Sequence, residues 1–454
     1  MQNRVIDRDR LQSLIKAESS IFAKRTRRSH SRFLEAQSFL LGGVPMSWMN
    51  KWVGGYPIFF ERAFGATIED LDGNVYDDFC LGDTAAMAGH SNPATLAAIN
   101  ERVVVGGGIS TMLPTTDALL VAQDLSRRFG VSQWQFTLSA TDANRFALRL
   151  ARQITRRSKI LVFSYCYHGT VDETFVTLSD DGPLSRSGNV GPSVDPTQTT
   201  VVAEFNDLDA VVELLSKGDI AAIITEPALT NIGIVLPEKD FLSGLAIASK
   251  EAGTLLIIDE THTFSAGVAG CTGLWGLEPD IVTIGKSLGG GVPFGAYGVS
   301  NEIASRISTE KDADYIDTGG IGGTLAGNAL SLAAARATLQ EVFTKANFTH
   351  MIEMASIYTN SVRAVIGEFQ LGWNIVQLGA RAEYRFCEVP AKNGGESELA
   401  ADEDLDIYFH LFMMNRGILL TPFHNMALMS PMTTYDQVMR HCAVFRDAVI
   451  KLVG

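Results

Sequence analysis

The sequence lacks the cysteine spacing of a disulfide framework or a zinc site. Its five cysteines are odd in number and dispersed along the chain: Cys80, Cys166, Cys271, Cys387 and Cys442. Such a set is typical of reduced thiols, so we expect a cytoplasmic protein and no metal ligands among them.

Long apolar runs and excess positive charge are also missing. No apolar run reaches the roughly 18 residues that a membrane span needs, and the N-terminal segment has no apolar core of a signal peptide. The formal net charge is -14, which argues against nucleic acid or an anionic membrane as a partner. Neither G-x-G-x-x-G nor G-x-x-x-x-G-K-[ST] accompanies the glycine-rich turns, which weakens a nucleotide-binding interpretation.

Alternating strand and helix patterns fill the middle of the 454-residue chain. Alternation of this kind predicts an α/β fold with a helix-covered, mostly parallel sheet. We predict three parts: an N-terminal arm over 1–70 that packs with the small domain, a large domain over 71–335, and a small α+β domain over 336–454. Seven strands are predicted: Trp134–Leu138, Ile160–Phe163, Thr200–Ala203, Ala221–Thr225, Thr254–Ile258, Ile281–Ile284 and Phe294–Val299.

Two of these strands end abruptly in a charged residue. One stops at Asp259 and the next at Gly285-Lys286. Because the carboxyl ends of parallel strands share one edge, Asp259 and Lys286 are expected at the same rim, where ligands bind. A lysine on glycine-rich backbone near a buried carboxylate suits a Schiff-base lysine, with the Asp holding the ring nitrogen of pyridoxal phosphate (PLP). A structural Asp–Lys ion pair is the alternative.

Other strand ends carry polar or aromatic residues. Ser139-Ala140-Thr141 opens a helix, which suits a phosphate but is also an ordinary helix cap. Tyr167-His168 can stack on a planar ring, although alone such residues are more often part of a core. Glu226 follows another strand, and Thr324 lies in a second glycine-rich turn before a helix. Taken together, these features indicate a PLP site.

The motifs resemble those of class III (ω-type) PLP-dependent aminotransferases of fold type I, in particular the glutamate-1-semialdehyde 2,1-aminomutase branch. The resemblance covers roughly residues 35–450. It rests on these motifs: Asp72-Gly73-Asn74, Gly89-His90-Ser91-Asn92-Pro93, SATDAN, Tyr167-His168-Gly169, Glu226-Pro227, IIDETHTF, Gly285-Lys286 and GGTLAGN.

The resemblance implies a role for each matching residue. Lys286 forms the Schiff base and moves the substrate proton, and Asp259 pairs with the cofactor ring nitrogen. Tyr167 stacks on the ring, and Thr324 reaches the phosphate of the neighbouring subunit in a homodimer with shared active sites. The expected cofactor-binding set is Ser139, Ala140, Thr141, Tyr167, His168, Glu226, Asp259, Thr261, Lys286 and Thr324.

The chain departs from the family pattern at several places. Ala140 replaces the usual Gly of the phosphate cradle, and Thr261 replaces the usual Val. The loop Met46–Trp48 lacks the Arg that relatives use for carboxylates, and the late loop Thr421–Met429 lacks both an Arg and the acid expected of the aminomutase. These departures predict an apolar substrate pocket, and the expected lining residues are Trp48, Asp83 and Phe423. Asp83 stands where relatives usually place an aromatic residue, and it either faces the pocket or only shapes its own loop by accepting backbone hydrogen bonds.

We therefore expect a transaminase that moves an amino group from an amine donor, an apolar amine or β-amino acid being favoured, to a carbonyl acceptor such as pyruvate. The alternative within the same cofactor class is a 2,1-aminomutase acting on a semialdehyde, which needs no second substrate. A catalytically silent PLP-fold binding protein is the alternative of another class, and the presence of both Lys286 and Asp259 argues against it.

Overall fold

A computed structural model describes residues 4–309 and 320–454. The chain forms two compact units. The sheet unit comprises Pro93–Lys345 and Ala391–Leu399. The terminal unit comprises Met1–Asn92, Ala346–Pro390 and Ala400–Gly454.

A seven-stranded sheet organises the sheet unit, and its strands match the seven that the sequence predicts. Their order across the sheet is β4-β12-β11-β10-β9-β5-β8. Strand β12 runs antiparallel to β11 and β4, and the other neighbouring pairs are parallel. The strand bounds are β4 Gln133–Thr137, β5 Lys159–Phe163, β8 Thr200–Ala203, β9 Ile220–Thr225, β10 Leu255–Asp259, β11 Ile281–Ile284 and β12 Gly295–Val299. A separate hairpin pairs β6 Val176–Ser179 with β7 Gly182–Ser185.

The central strands of this sheet are buried on both faces, which explains their continuous apolar runs. Along β5, Ile160 and Val162 join one core while Leu161 and Phe163 join the other. Successive side chains of a strand point to opposite faces, so a strand covered on both sides is almost entirely apolar until it leaves the sheet. Thr283 on β11 is a polar exception, and it is hydrogen-bonded to Asn144. Asp259 is the last residue of its strand, where the apolar run ends.

The helices of the sheet unit lie mainly between these strands. Helix α5 follows β4 directly and contributes alanine and leucine side chains to one of the two cores. The helices are α3 Pro93–Asn100, α4 Thr116–Phe129, α5 Ala140–Thr155, α6 Leu208–Leu215, α7 Phe241–Glu251, α8 Gly270–Leu274, α9 Asn301–Thr309, α10 Ala329–Ala337 and, in the separate segment, α12 Gly394–Leu399.

The terminal unit combines helices with two small sheets. One sheet has the order β1-β2-β3-β15 and the other β13-β14-β16. The strands are β1 Phe60–Phe64, β2 Thr67–Asp70, β3 Val75–Asp78, β13 Asn374–Leu378, β14 Arg381–Arg385, β15 Ile418–Leu419 and β16 Met426–Leu428. The helices are α1 Arg8–Arg25, α2 Arg27–Ala36, α13 Glu403–Met414, α14 Tyr435–Val453 and α11, which begins at the unit boundary and spans Lys345–Glu368.

The units divide at other residues than the predicted boundaries of 70/71 and 335/336. Residues 71–92 belong to the terminal unit because β3 pairs with β2 and with the distant β15. Residues 391–399 belong to the sheet unit, where Ser397 Oγ donates to the carbonyl of Ile232. Both differences come from pairings between distant parts of the chain, which a reading in chain order does not reveal.

Two kinds of feature are absent from residues 4–309 and 320–454. None of their helices has the length and apolar character that crossing a membrane requires. The same residues hold no group of three or more His, Cys, Asp or Glu side chains arranged to bind a metal ion.

Candidate active site

A fully buried carboxylate, that of Asp259, lies at the end of β10. Its Oδ2 atom accepts hydrogen bonds from Asn144 Nδ2 and His168 Nδ1, both at 2.9 Å. Its Oδ1 atom accepts from the backbone N–H of Thr261 at 3.0 Å. Asn144 is itself fixed, because its Oδ1 accepts a hydrogen bond from Thr283 Oγ1 on β11.

The pKa values of this pair describe a buried ion pair. Burial raises the pKa of Asp259, but the hydrogen bond and charge of His168, with the contacts from Thr261, bring it below the ordinary value. Burial lowers the pKa of His168, but the neighbouring Cys166 and Asp259 raise it to about 10. An ionised carboxylate only accepts hydrogen bonds, so His168 Nδ1 carries the proton that the two share.

The predicted phosphate cradle, Ser139 to Thr141, lies at the start of α5. Ser139 is the N-cap, and its Oγ accepts from the backbone N–H of Asp142 at 3.2 Å. Thr141 Oγ1 accepts from the backbone N–H of Thr170 at 3.2 Å. Gly169 adopts φ +79°, and a Cβ there would lie 2.9 Å from Thr141 Cα. Only a glycine lets the Tyr167–Gly169 turn approach the helix start this closely.

Lys286 follows β11 in a strained backbone conformation. Its φ is 47°, in the left-handed region that non-glycine residues rarely adopt and that is enriched at functional sites. The preceding Gly285 packs on the start of α5, where an added Cβ would lie 2.8 Å from the backbone nitrogen of Ala140. The Ala140 methyl, which departs from the family pattern, therefore faces Gly285. The Lys286 Nζ atom lies 2.7 Å from His262 Nε2.

Glu226 follows β9 and is also buried. Its two carboxylate oxygens accept from the backbone N–H and the hydroxyl of Thr230. Burial raises the pKa of Glu226 to about 7 although these hydrogen bonds and the charge of His168 lower it. Two buried carboxylates of opposite pKa direction, Glu226 and Asp259, thus lie at the ends of the neighbouring strands β9 and β10.

Tyr167 and Thr324 are two further predicted site residues of the sheet unit. Tyr167 is half-buried, with its ring centroid 6.1 Å from that of Phe175. Thr324 is exposed in the glycine-rich turn before α10. Their predicted roles, ring stacking and a contact with the neighbouring subunit, stay predictions.

The three residues predicted to line the substrate pocket belong to the terminal unit. Trp48 and Phe423 meet edge to face, with ring centroids 5.8 Å apart. Lys51 Nζ lies 5.2 Å from the Phe423 centroid and 5.8 Å from the Trp48 centroid. This cation was not predicted from the sequence, and it brings a positive charge to an aromatic pair that was expected to be purely apolar.

Asp83 lies in a turn of unusual backbone geometry. Leu81, Gly82, Asp83 and Thr84 all have positive φ, between 46° and 82°. A hydrogen bond to Asp78 stabilises the turn, because Asp78 Oδ1 accepts from the backbone N–H of Leu81 at 3.0 Å. The buried Arg381 also donates to Thr84 Oγ1 at 2.7 Å. Such a fixed, strained turn is typical of functional loops, and the role of Asp83 in the pocket stays a prediction.

Sequence reasoning missed Asn144, His262 and Thr283. Asn144 was visible within the SATDAN motif, four residues after Ala140 and hence on the same face of the helix. His262 stands three residues after Asp259 but gave no signal of its own. Thr283 was interpreted only as part of a strand.

Comparison with known proteins defines the class. The sequence model of the family described as Aminotransferase class-III matches residues 48–366. The chain is 35% identical over 406 residues to a glutamate-1-semialdehyde 2,1-aminomutase of Roseiflexus castenholzii, covering 88% of this chain and 91% of that protein.

Solved structures agree with this result. A glutamate-1-semialdehyde aminomutase from Pseudomonas aeruginosa PAO1 is 43% identical and superimposes with a TM-score of 0.95, covering 98% of this chain and 99% of that one. A K286A variant of the aminomutase from the same organism, in complex with PMP, is 43% identical and gives a TM-score of 0.94 with the same coverage.

The chain therefore belongs to the class-III aminotransferase family and has the fold of type I PLP-dependent transferases. It is a PLP-dependent enzyme of the aminomutase and transaminase group, and its cofactor is pyridoxal phosphate. Its substrates are small molecules that carry amine and carbonyl groups. The catalytically silent alternative is set aside.

The described residues fit this cofactor. Ser287 Oγ, next to Lys286 in sequence, is buried and has no hydrogen-bond partner within the described part of the chain. The first N–H groups of α5 have no acceptors within their own helix and suit a phosphate. A carboxylate that stays ionised despite burial suits a protonated ring nitrogen.

Glu226 provides a test of the buried charge distribution. Its folded pKa of about 7 lies above the ordinary value of 4.5, so the folded state binds more protons than the unfolded state between these values. The free energy of unfolding of the PLP-free protein should fall as pH rises through that window. In Glu226→Gln this fall should be smaller, as measured by denaturant unfolding at about pH 5, 6 and 7. Equal pH dependence in both proteins would contradict the assignment.

Proposed function

We propose that this chain is a 2,1-aminomutase that exchanges the amino group and the carbonyl oxygen between neighbouring carbons of a semialdehyde such as glutamate 1-semialdehyde. The observation that carries the proposal is the near-complete match to solved and curated proteins of that name. The K286A neighbour supports Lys286 as the reacting lysine, since its substitution bears the same residue number.

Each site residue has a defined task in this proposal. Ser139, Ala140 and Thr141 hold the phosphate, and Asp259, positioned by His168 and Asn144, holds the protonated ring nitrogen. PLP, when bound, supplies a Schiff-base carbon and an electron sink. Lys286 Nζ takes the proton from one substrate carbon and returns it to the neighbouring position, as a general base and then a general acid.

Lys51 supports an acidic substrate. Glutamate 1-semialdehyde keeps a side-chain carboxylate that a pocket without a cation would exclude. The Met46–Trp48 loop has no Arg, but Lys51 holds its ammonium over the Trp48 and Phe423 rings. An ammonium placed beside aromatic faces can pair with a carboxylate at the edge of a pocket.

The second candidate is the transaminase that the sequence analysis favoured, acting on an apolar amine or β-amino acid and a carbonyl acceptor. The edge-to-face contact of Trp48 with Phe423 favours it, because this pair offers an apolar wall. The two candidates differ in one requirement: the aminomutase turns over with a single substrate, whereas the transaminase needs a donor and an acceptor.

The deciding experiment gives PLP-loaded protein glutamate 1-semialdehyde alone and, separately, amine donors paired with pyruvate. We expect 5-amino-4-oxopentanoate from the semialdehyde without any second substrate. Lys286→Ala should keep its fold and lose turnover by about 10²–10⁴-fold, the usual contribution of a general acid–base group. Turnover that occurs only with paired amines and pyruvate would contradict the aminomutase and select the transaminase.

Lys51 can be tested by removing its charge. Lys51→Met should raise KM for the semialdehyde by about tenfold, equivalent to about 1.4 kcal/mol, with little change in kcat. The matched control is Lys24→Met, an exposed lysine elsewhere in the terminal unit. If KM is unchanged, or rises equally for neutral amines, Lys51 does not recognise the carboxylate.

A homodimer with shared sites is the proposed assembly. Several apolar side chains of the sheet unit are at least half exposed: Val104 and Val105 at 70%, Met112 at 76%, Leu113 at 71% and Leu325 at 53%. A hydrogen bond of 3.0 Å from the backbone N–H of Ala329 to the carbonyl of Ile109 ties this segment to the start of α10, close in sequence to Thr324. Exposed apolar groups of this extent are typical of protein interfaces.

The dimer is tested by sedimentation of two variants. Leu113→Glu should yield monomers that lose PLP. Thr324→Val should remain dimeric but hold PLP more weakly by about 1.5–3 kcal/mol, because one hydrogen bond to a charged group is lost. A fully active monomer would contradict the shared site.

The cytoplasmic location, which rests on the dispersed cysteines, also stays part of this proposal.

A further inference from the structure

The contact between His262 and Lys286 is not used by any of the roles proposed for the site residues. The atoms His262 Nε2 and Lys286 Nζ are 2.7 Å apart. Both side chains belong to loops at the carboxyl ends of neighbouring strands, β10 and β11. Both are half-buried, so the two nitrogens meet in a partly sheltered position.

The backbone around each partner is fixed. On one side, Thr263 to Ala266 form a buried turn, and Ser265 Oγ donates to the carbonyl of His262 at 2.9 Å. The buried Glu260 braces the same turn, accepting from Thr263 Oγ1 at 2.6 Å. In the loop that carries Lys286, Ser287 to Gly289 are buried, and Gly285 packs closely against Ala140. The contact is therefore set by two rigid turns.

The length of the contact limits the protons it can hold. An ammonium only donates, and a doubly protonated imidazole only donates, so two such cations cannot meet at 2.7 Å with both N–H groups pointing at each other. One nitrogen must offer its lone pair to the other. The pair therefore holds a single proton between Nζ and Nε2.

We propose that His262 is a proton acceptor for Lys286. The Lys286 ammonium passes one proton to His262 Nε2, which leaves a neutral amine with a free lone pair and an imidazolium of the same total charge. The proton returns along the same contact, so no further reactant is needed. This inference rests on the proposed role of Lys286 as the reacting amine.

Packing, positioning and proton transfer each require a different kind of side chain at position 262. If His262 only packs beside Lys286, an aromatic ring without nitrogens is sufficient. If it only orients Lys286 by a hydrogen bond, an amide is sufficient. If it takes the proton, neither replacement works, and a small titratable base added from solution should restore part of the effect.

The experiment follows acylation of Lys286 by acetic anhydride in PLP-free protein at about pH 7, read by peptide mass spectrometry. Lys250, an exposed lysine of the same unit, is the internal reference in every digest. We expect His262→Phe and His262→Gln to slow Lys286 acylation by about tenfold or more relative to Lys250, as for loss of a general base. Added imidazole should accelerate Lys286 acylation in His262→Ala and leave the parent unchanged.

Each result decides the question. A parent-like rate in His262→Phe shows packing alone, and a parent-like rate in His262→Gln shows positioning alone; either overturns the proposal, as does the absence of imidazole rescue. If His262→Phe does not fold, His262→Gln and the rescued His262→Ala still decide. Since acylation needs neither cofactor nor substrate, its dependence on His262 stands or falls separately from aminomutase turnover.

Discussion

The buried charge of Asp259 is the constraint on which the rest of the site depends. An ionised carboxylate in a dry interior is costly unless it is paired and hydrogen-bonded. Asn144 and His168, which are 115 and 91 residues away in sequence, supply the donors. To meet this requirement, the start of α5, the turn after β5 and the end of β10 must converge on one point. That convergence also brings the predicted phosphate cradle and the carboxylate predicted to bind the cofactor ring into one site.

The sheet explains why so much of the fold could be predicted from the sequence. Both faces of the central strands are covered, so residues such as Ile257 and Ile258 must all be apolar. The first charge in the run therefore marks the edge of the sheet. The same logic located Asp259 and Lys286 together at one rim. Burial requires apolar residues along each strand, and this requirement is visible in the sequence. The position of each strand, and the strand ends that carry functional residues, can therefore be predicted.

Side-chain pairs and unit boundaries leave no such record. His262 and Lys286 meet because two turns are fixed by Glu260 and by the close approach of Gly285 to Ala140. The positive φ of Lys286 likewise depends on its surroundings, since lysine has no intrinsic preference for it. The pairing of β3 with the distant β15, which draws residues 71–92 into the terminal unit, is a long-range choice of the same kind.

The missing arginine shows how a motif can indicate the chemistry of a site while leaving its substrate open. Arginine recognises a carboxylate through a rigid, planar fork, so its absence from the Met46–Trp48 loop removes one specific geometry. Lysine is a point charge on a flexible stem and can act from a different position in the sequence. The ammonium of Lys51 lies over the Trp48 and Phe423 rings. It supplies a positive charge without the planar, two-pronged geometry of a guanidinium group. An apolar loop is therefore compatible with an acidic substrate, because the two aromatic rings that are predicted to line the pocket also position the cation.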